Sequence, residues 1–245
     1  MTEVEKKIKR RDRIVRILLI LLIIMGVGFY VYARDYYRAS MGAEEALVSG
    51  DGITFEEVNG DLIFTPSSPK GGVVIYPGGR VSERAYGHLA RKIAALGYKT
   101  VIVKVPFKLS ILENGAAKSY VNEEMPWILI GHSLGGVSAS SFAQKNMDTV
   151  DGLILLASYP AGNTDLSSAP FPVYSLVGDK DQVVDFESLQ EAQDRLPKGF
   201  EGVVIRGGNH ASFGNYGIQK GDSLPDISFD DQQQYVLDTL LEILP

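Results

Sequence analysis

From position 14 to 33 the chain is apolar at almost every residue, interrupted only by Arg16, whereas after position 71 short apolar runs alternate with amphipathic stretches. The first pattern predicts a helix long enough to cross a bilayer, since about 20 apolar residues rising about 1.5 Å each span the hydrocarbon core. The second predicts strands at 73–76, 98–105, 127–130, 152–157, 173–177 and 202–205. Helices are expected between them: one capped by Ser82, with Tyr86, Leu89, Ala90 and Ile93 on one stripe and its stop at Gly97, then others at 137–146, 186–196 and 229–244. The 98–105 run is rich in β-branched residues, as suits a strand buried on both faces of a parallel sheet. Residues 53–64, broken at Asn59-Gly60-Asp61, read as an antiparallel hairpin at the sheet edge. Strands alternating with helices mean a doubly wound, mostly parallel α/β sheet. The expected plan is a basic tail at 1–13, a transmembrane helix at 14–33, a linker at 34–52 and one α/β domain at 53–245.

The strand at 127–130 runs into Gly131-His132-Ser133-Leu134-Gly135, followed at once by a helical stretch. Strand, sharp turn with a serine, then helix is the setting of a nucleophile elbow. Its turn is too tight for side chains at Gly131 and Gly135, and a strained Ser133 would stand clear of the sheet at a helix N-terminus, where developing negative charge is favoured. With such an elbow the partners follow in the order serine, acid, histidine. Of three histidines, His88 precedes the serine and His132 lies inside the elbow, which leaves His210 as the general base, after a strand in the glycine loop Gly207-Gly208-Asn209. The acid belongs after the 173–177 strand, and Asp179 and Asp181 are both candidates to orient the imidazole. An oxyanion hole is expected from backbone N–H groups: that of Leu134, after the nucleophile, and that of Gly79 or Arg80, in the glycine turn after the 73–76 strand.

These pieces resemble the α/β-hydrolase superfamily, and within it the small dienelactone-hydrolase-like group. The resemblance rests on Tyr76-Pro77-Gly78-Gly79, on Ala85-Tyr86 with Leu89-Ala90, and on Gly131 to Gly136. It also rests on Gly207-Gly208-Asn209-His210-Ala211-Ser212-Phe213-Gly214, continuing through Tyr216, Gly217, Gln219, Gly221 and Asp222. It covers the chain from about Gly71 onward and implies the α/β-hydrolase fold with the triad roles. By the same resemblance, the spacing Gly178-x-x-Asp181-x-Val183-Val184 favours Asp181. Dienelactone hydrolases proper use a cysteine nucleophile; this chain has none, so their substrate is not implied. Larger members insert a cap domain between the sixth and seventh strands, where this chain has room only for a loop at 159–170. A shallow, open, cap-less site follows, suited to small or exposed acyl groups.

Charge divides along the same line as hydropathy. Residues 1–38 hold nine Lys or Arg against four Asp or Glu, so a whole-chain charge of −6 leaves the remainder at −11. The basic flank before position 14 predicts a cytoplasmic N-terminus and an extracytoplasmic domain at the cell membrane, with Tyr30, Tyr32, Tyr36 and Tyr37 at the far interface. A cleaved signal peptide is the rival, with Val31-Tyr32-Ala33 resembling a small-x-small site. An acidic domain without a basic stripe argues against nucleic acid as a partner. Three scattered histidines and no cysteine offer no metal cluster, lipid-modified cysteine or disulfide, and no phosphate-binding glycine loop is present, so no metal or cofactor is expected. The expected activity is that of a serine hydrolase (an esterase, with thioester or amide as variants) acting on a small-molecule or exposed acyl substrate. The alternatives are an acyltransferase with the same triad and a non-catalytic tethered binding module.

Overall fold

The structure is a computed structural model and describes residues 2–244 except Glu123. It divides into two compact units, Met1–Tyr36 and Tyr37–Pro245. The first is a single helix, α1 (Glu3–Arg34). The expected boundary at position 14 is absent from the backbone: Lys, Arg and Glu are good helix formers, so the basic tail continues the helix. Its stretch Lys7–Arg34 has a window of mean hydropathy 2.7, and its apolar side chains are exposed. By length and composition this helix is able to cross a membrane.

The second unit begins with a short helix α2 (Met41–Glu45) and the hairpin β1 (Ile53–Val58) and β2 (Asp61–Pro66). There follow β3 (Gly71–Tyr76), a 3-10 turn at Glu83–Tyr86 that Ser82 caps, α3 (Gly87–Ala95) and β4 (Tyr98–Ile102). Next come β5 (Trp127–His132), α4 (Leu134–Lys145), β6 (Gly152–Leu156) and β7 (Val173–Gly178). The chain closes with α5 (Phe186–Glu191), β8 (Glu201–Ile205) and α6 (Phe229–Ile243). The eight strands form one sheet in the order β1-β2-β4-β3-β5-β6-β7-β8. From β4 onward in that order all neighbours are parallel, while β1 and β2 form the antiparallel edge.

Both faces of the sheet are buried, and side chains divide between them with the period of two that a strand imposes. Ile75, Ile128, Ile130 and Ile154 join the core shared with Leu89 and Ile93 of α3 and Val236 and Leu240 of α6. Val74, Trp127, Leu129 and Leu153 join the opposite core with Ala139 and Phe142 of α4. This is a mostly parallel, doubly wound α/β sheet, as the alternation of strands and helices implies. No helix interrupts residues 157–172 between β6 and β7 among the described residues, so no cap domain stands over the sheet there.

Three readings shift. The β4 run ends at Ile102 rather than 105, because Lys104 N–H leaves the ladder for Asp61 Oδ1 (2.7 Å) and Pro106 follows. The 186–196 helix breaks after Glu191 into a 3-10 turn. Most of the expected linker is folded. Tyr37 N–H donates to Arg80 O (2.7 Å), Ser82 N–H to Tyr37 O (2.9 Å) and Ser40 N–H to Asn215 O (2.8 Å). Residues 37–40 thus form a strap tied to the loops after β3 and β8, and the compact unit starts at Tyr37 instead of 53.

Candidate active site

Ser133 sits between β5 and α4 with φ 51° and ψ −123°, a backbone state that a non-glycine residue occupies at a cost of about 1–3 kcal/mol. Surrounding contacts hold it there. Ser133 N–H donates to Leu156 O (2.9 Å), and Ser133 O accepts from Gly136 N–H (3.0 Å) and Ser158 Oγ (2.6 Å). The flanking glycines are steric necessities: a Cβ on Gly135 would lie 2.1 Å from Tyr76 O, and one on Gly131 2.4 Å from Gly136 Cα. The same closeness brings the start of α4 against the end of β3, where the glycine turn begins.

The end of β7 delivers Asp181, which is 1% exposed, to His210, which is 2% exposed. His210 Nδ1 lies 2.8 Å from Asp181 Oδ2. An ionised carboxylate only accepts, so Nδ1 carries the proton and Nε2 is left as the acceptor. The other oxygen, Oδ1, accepts from the N–H groups of Val183 and Val184, both at 2.8 Å. Asp179 is exposed and turned elsewhere: its Oδ1 accepts from Gly207 N–H at 2.7 Å. Lys180 pairs with Asp226 at 2.8 Å. From α6 the buried Gln232 holds the residue before His210, accepting from Asn209 N–H (3.0 Å) and donating to Asn209 O (2.8 Å). A sequence reading missed Gln232, whose only signal was a polar residue on the core face of an amphipathic helix.

The expected oxyanion donors separate. Arg80 N–H is committed to Lys108 O at 2.7 Å, in a backbone with φ 58°, so Arg80 has no main-chain donor to offer. Among the described residues no chain acceptor takes the N–H of Gly79 or of Leu134. These two residues are neighbours: a Cβ on Gly79 would stand 3.1 Å from Leu134 Cδ2. Glycine at 79 keeps that approach open.

Behind the elbow lies a buried network that the motif alone did not foretell. Gly78 N–H donates to Tyr86 Oη (2.9 Å), which lies 2.7 Å from His132 Nδ1. The His132 ring lies 4.8 Å from that of His210, centroid to centroid, tilted by 47°. Burial holds the His132 imidazole well below its ordinary pKa, and the neighbouring His210 adds to this. Burial likewise raises the Tyr86 phenol, so both are neutral. His88 lies elsewhere, its ring against Phe229.

Ser133 and His210 line one cleft of about 250 Å³, with Leu134, Val137, Ala157 and Val184 supplying apolar walls. Among the described residues no hydrogen bond yet joins the serine hydroxyl to the imidazole, and such bonds often tighten only once substrate is bound.

The chain matches the sequence profile of the alpha/beta hydrolase family over residues 72–234, well over half its length. It belongs to that family. No curated protein sequence matches it. Among solved structures it is similar to a dienelactone hydrolase from Anabaena variabilis, at 16% identity with a TM-score of 0.62, covering 79% of this chain and 100% of that one. It is similar also to the carboxylesterase CesB from Bacillus subtilis, at 13% identity and a TM-score of 0.55, over 89% and 98%. Est1E from Butyrivibrio proteoclasticus shares the fold at 17% identity and a TM-score of 0.52, over 79% and 99%. At these identities the likeness concerns the fold.

Proposed function

We propose that this alpha/beta hydrolase family member is a serine hydrolase that cleaves a carboxylic ester through an acyl-enzyme, with Ser133 as nucleophile, His210 as base and Asp181 as the orienting acid. The observation that carries the reading is the buried Asp181–His210 pair at 2.8 Å, whose histidine lines the same cleft as a serine held at φ 51°. In the first half-reaction Ser133 Oγ bonds to the ester carbonyl carbon as its proton passes to His210 Nε2. The carbonyl electrons move to oxygen, and the N–H groups of Gly79 and Leu134, which no chain acceptor takes among the described residues, are the donors assigned to that charge. When the tetrahedral adduct collapses, the carbon–alkoxy bond breaks and His210 returns the proton to the departing alcohol. A water molecule then attacks the acyl-serine by the same route, releasing the acid and restoring Ser133. Asp181 balances the imidazolium charge in both halves without taking the proton.

A cleft of about 250 Å³ with no cap above it suits a short acyl group. A dienelactone hydrolase and a carboxylesterase among its structural relatives accord with ester chemistry. We further propose that α1 anchors the chain in the cell membrane with the basic end cytoplasmic and the catalytic unit outside. The deciding experiment is labelling with a fluorophosphonate probe, which reacts with an activated serine and hardly at all with an ordinary one. Stoichiometric, heat-sensitive labelling that disappears in Ser133→Ala supports the hydrolase; no labelling of the folded wild type favours a binding module instead. With labelling in hand, competition between water and an added alcohol separates hydrolysis from acyl transfer.

A further inference from the structure

The glycine-rich stretch after His210 stands out in the sequence, yet the catalytic scheme uses only its histidine. Its last member, Asp222, is half-buried, and its two oxygens point to different loops. Oδ1 accepts from Gln182 N–H at 3.2 Å, the residue after the acid. Oδ2 accepts from Ala211 N–H at 2.9 Å, the residue after the base. One carboxylate thus spans the loop from β7 and the loop from β8, each contact one residue from a member of the Asp181–His210 pair. The carboxylate is itself held in place. Asp222 N–H donates to Gln219 O (3.1 Å), and Tyr216 Oη donates to Gln219 Oε1 (2.8 Å). Lys220 N–H donates to Tyr37 Oη (3.0 Å) in the strap. Ser223 Oγ donates to the carbonyl of Lys180, tying the same segment to the acid loop a second time. Gly217 and Gly221, at φ 81° and 91°, make the turns that bring Asp222 back.

We propose that Asp222 is a positioning residue that fixes the distance between the Asp181 and His210 loops by accepting one backbone N–H from each. It touches no substrate; it acts by keeping the carboxylate and imidazole in register, and this role rests on the triad proposed above. An ordinary loop-closing carboxylate needs only one partner loop, whereas here the two anchoring points flank the two groups whose alignment the chemistry needs. A displacement of about 1 Å at such a pair costs on the order of 100-fold in turnover.

The test uses the full chain in detergent. Asp222→Asn keeps the size but sets an amide NH₂ against one of the two N–H donors, so one tie is lost. Hydrolysis of p-nitrophenyl butyrate should fall about 10- to 100-fold in kcat, with KM within about twofold. The proton shared by His210 Nδ1 and Asp181 should give a strongly deshielded NMR signal in the wild type, and that signal should shift or broaden in the variant while the fold, read by circular dichroism, persists. Asp222→Glu, which keeps charge and both oxygens in a displaced position, should fall between the two in both readouts and replaces Asp222→Asn should that variant not fold. An unchanged kcat with an unchanged resonance would overturn the proposal, as would a loss confined to KM. Because the resonance needs no substrate, it judges Asp222 even if the wild type proves inert toward every ester.

Discussion

Tyr86 Oη lies 2.7 Å from Nδ1 of His132 inside the protein, and its lone pair takes the N–H of Gly78 in the turn that leads to Gly79; among the described residues the phenol hydrogen has no other acceptor, which assigns it to Nδ1. The acceptor role at Nδ1 requires a neutral imidazole. Unfolded, His132 gains its proton as pH falls through about 6.5; folded, burial resists it. The unfolded state then binds more protons, so stability declines as pH drops below about 6.5, by up to about 1.4 kcal/mol per unit. His88, also held low by burial, adds in the same direction. Asp230 and Asp185, held low by their partners, act only in the carboxylate range. The Tm should therefore drop by several degrees between pH 7.5 and 5.5, and less so in His132→Asn, which keeps an acceptor for Tyr86. An identical drop in His132→Asn, with His88→Asn removing it, would move the effect to His88.

Replacing Ser133 by Ala removes the nucleophile and leaves the elbow. Turnover of short-chain p-nitrophenyl esters should fall by on the order of 10⁴-fold or more. Stability should hold or rise slightly, and activity equal to the wild type in a clean preparation refutes the assignment.

Asp181→Asn and Asp179→Asn compare two carboxylates two residues apart. The first meets the imidazole; the second caps Gly207 N–H in an exposed position. Losses on the order of 10²- to 10⁴-fold are expected for Asp181→Asn and under about tenfold for Asp179→Asn, measured as kcat/KM. The reverse order would pass the acid's role to Asp179.

Gly135→Ala tests the elbow's sterics. A methyl group 2.1 Å from Tyr76 O and 2.5 Å from Pro77 O forces β3 and α4 apart. Overpacking against backbone should cost about 3 kcal/mol, a fall of roughly 10 °C in Tm for a domain of this size. A variant with native Tm and native activity would contradict the packing described.

Orientation is open to direct test. Protease added to intact cells or spheroplasts should digest the catalytic unit; protection until lysis would mean the opposite topology.

The parallel sheet was legible because each buried strand is a continuous apolar run, as at Val73 to Tyr76 and Ile128 to Ile130, and the serine because glycine spacing encodes a steric fact. The acid was narrowed to two residues: Asp179 and Asp181 leave the same strand, and only the fold of Val183 and Val184 back onto the Asp181 carboxylate separates them. Arg80 looked equivalent to Gly79 because a backbone N–H leaves no mark in the sequence; its bond to Lys108 O comes from a segment of short 3-10 turns without periodicity. The contacts of Tyr86, Gln232 and Asp222 were hidden for a related reason, although Tyr86 and Asp222 themselves stand in legible motifs. Each works through partners 20 to 46 residues or so away, or through main-chain atoms of other loops, and no local pattern announces such a bond.

The strap at 37–40 decides where the chain can be cut. Cleavage just before Tyr37 would liberate a fragment that retains the ties to Arg80, Ser82, Asn215 and Lys220. Cleavage at Gly52, which hydropathy alone would recommend, strips those partners from the loops after β3 and β8, the second of which carries His210. Two soluble fragments that differ by some fifteen residues at their start should thus differ in how firmly the loops after β3 and β8 are held.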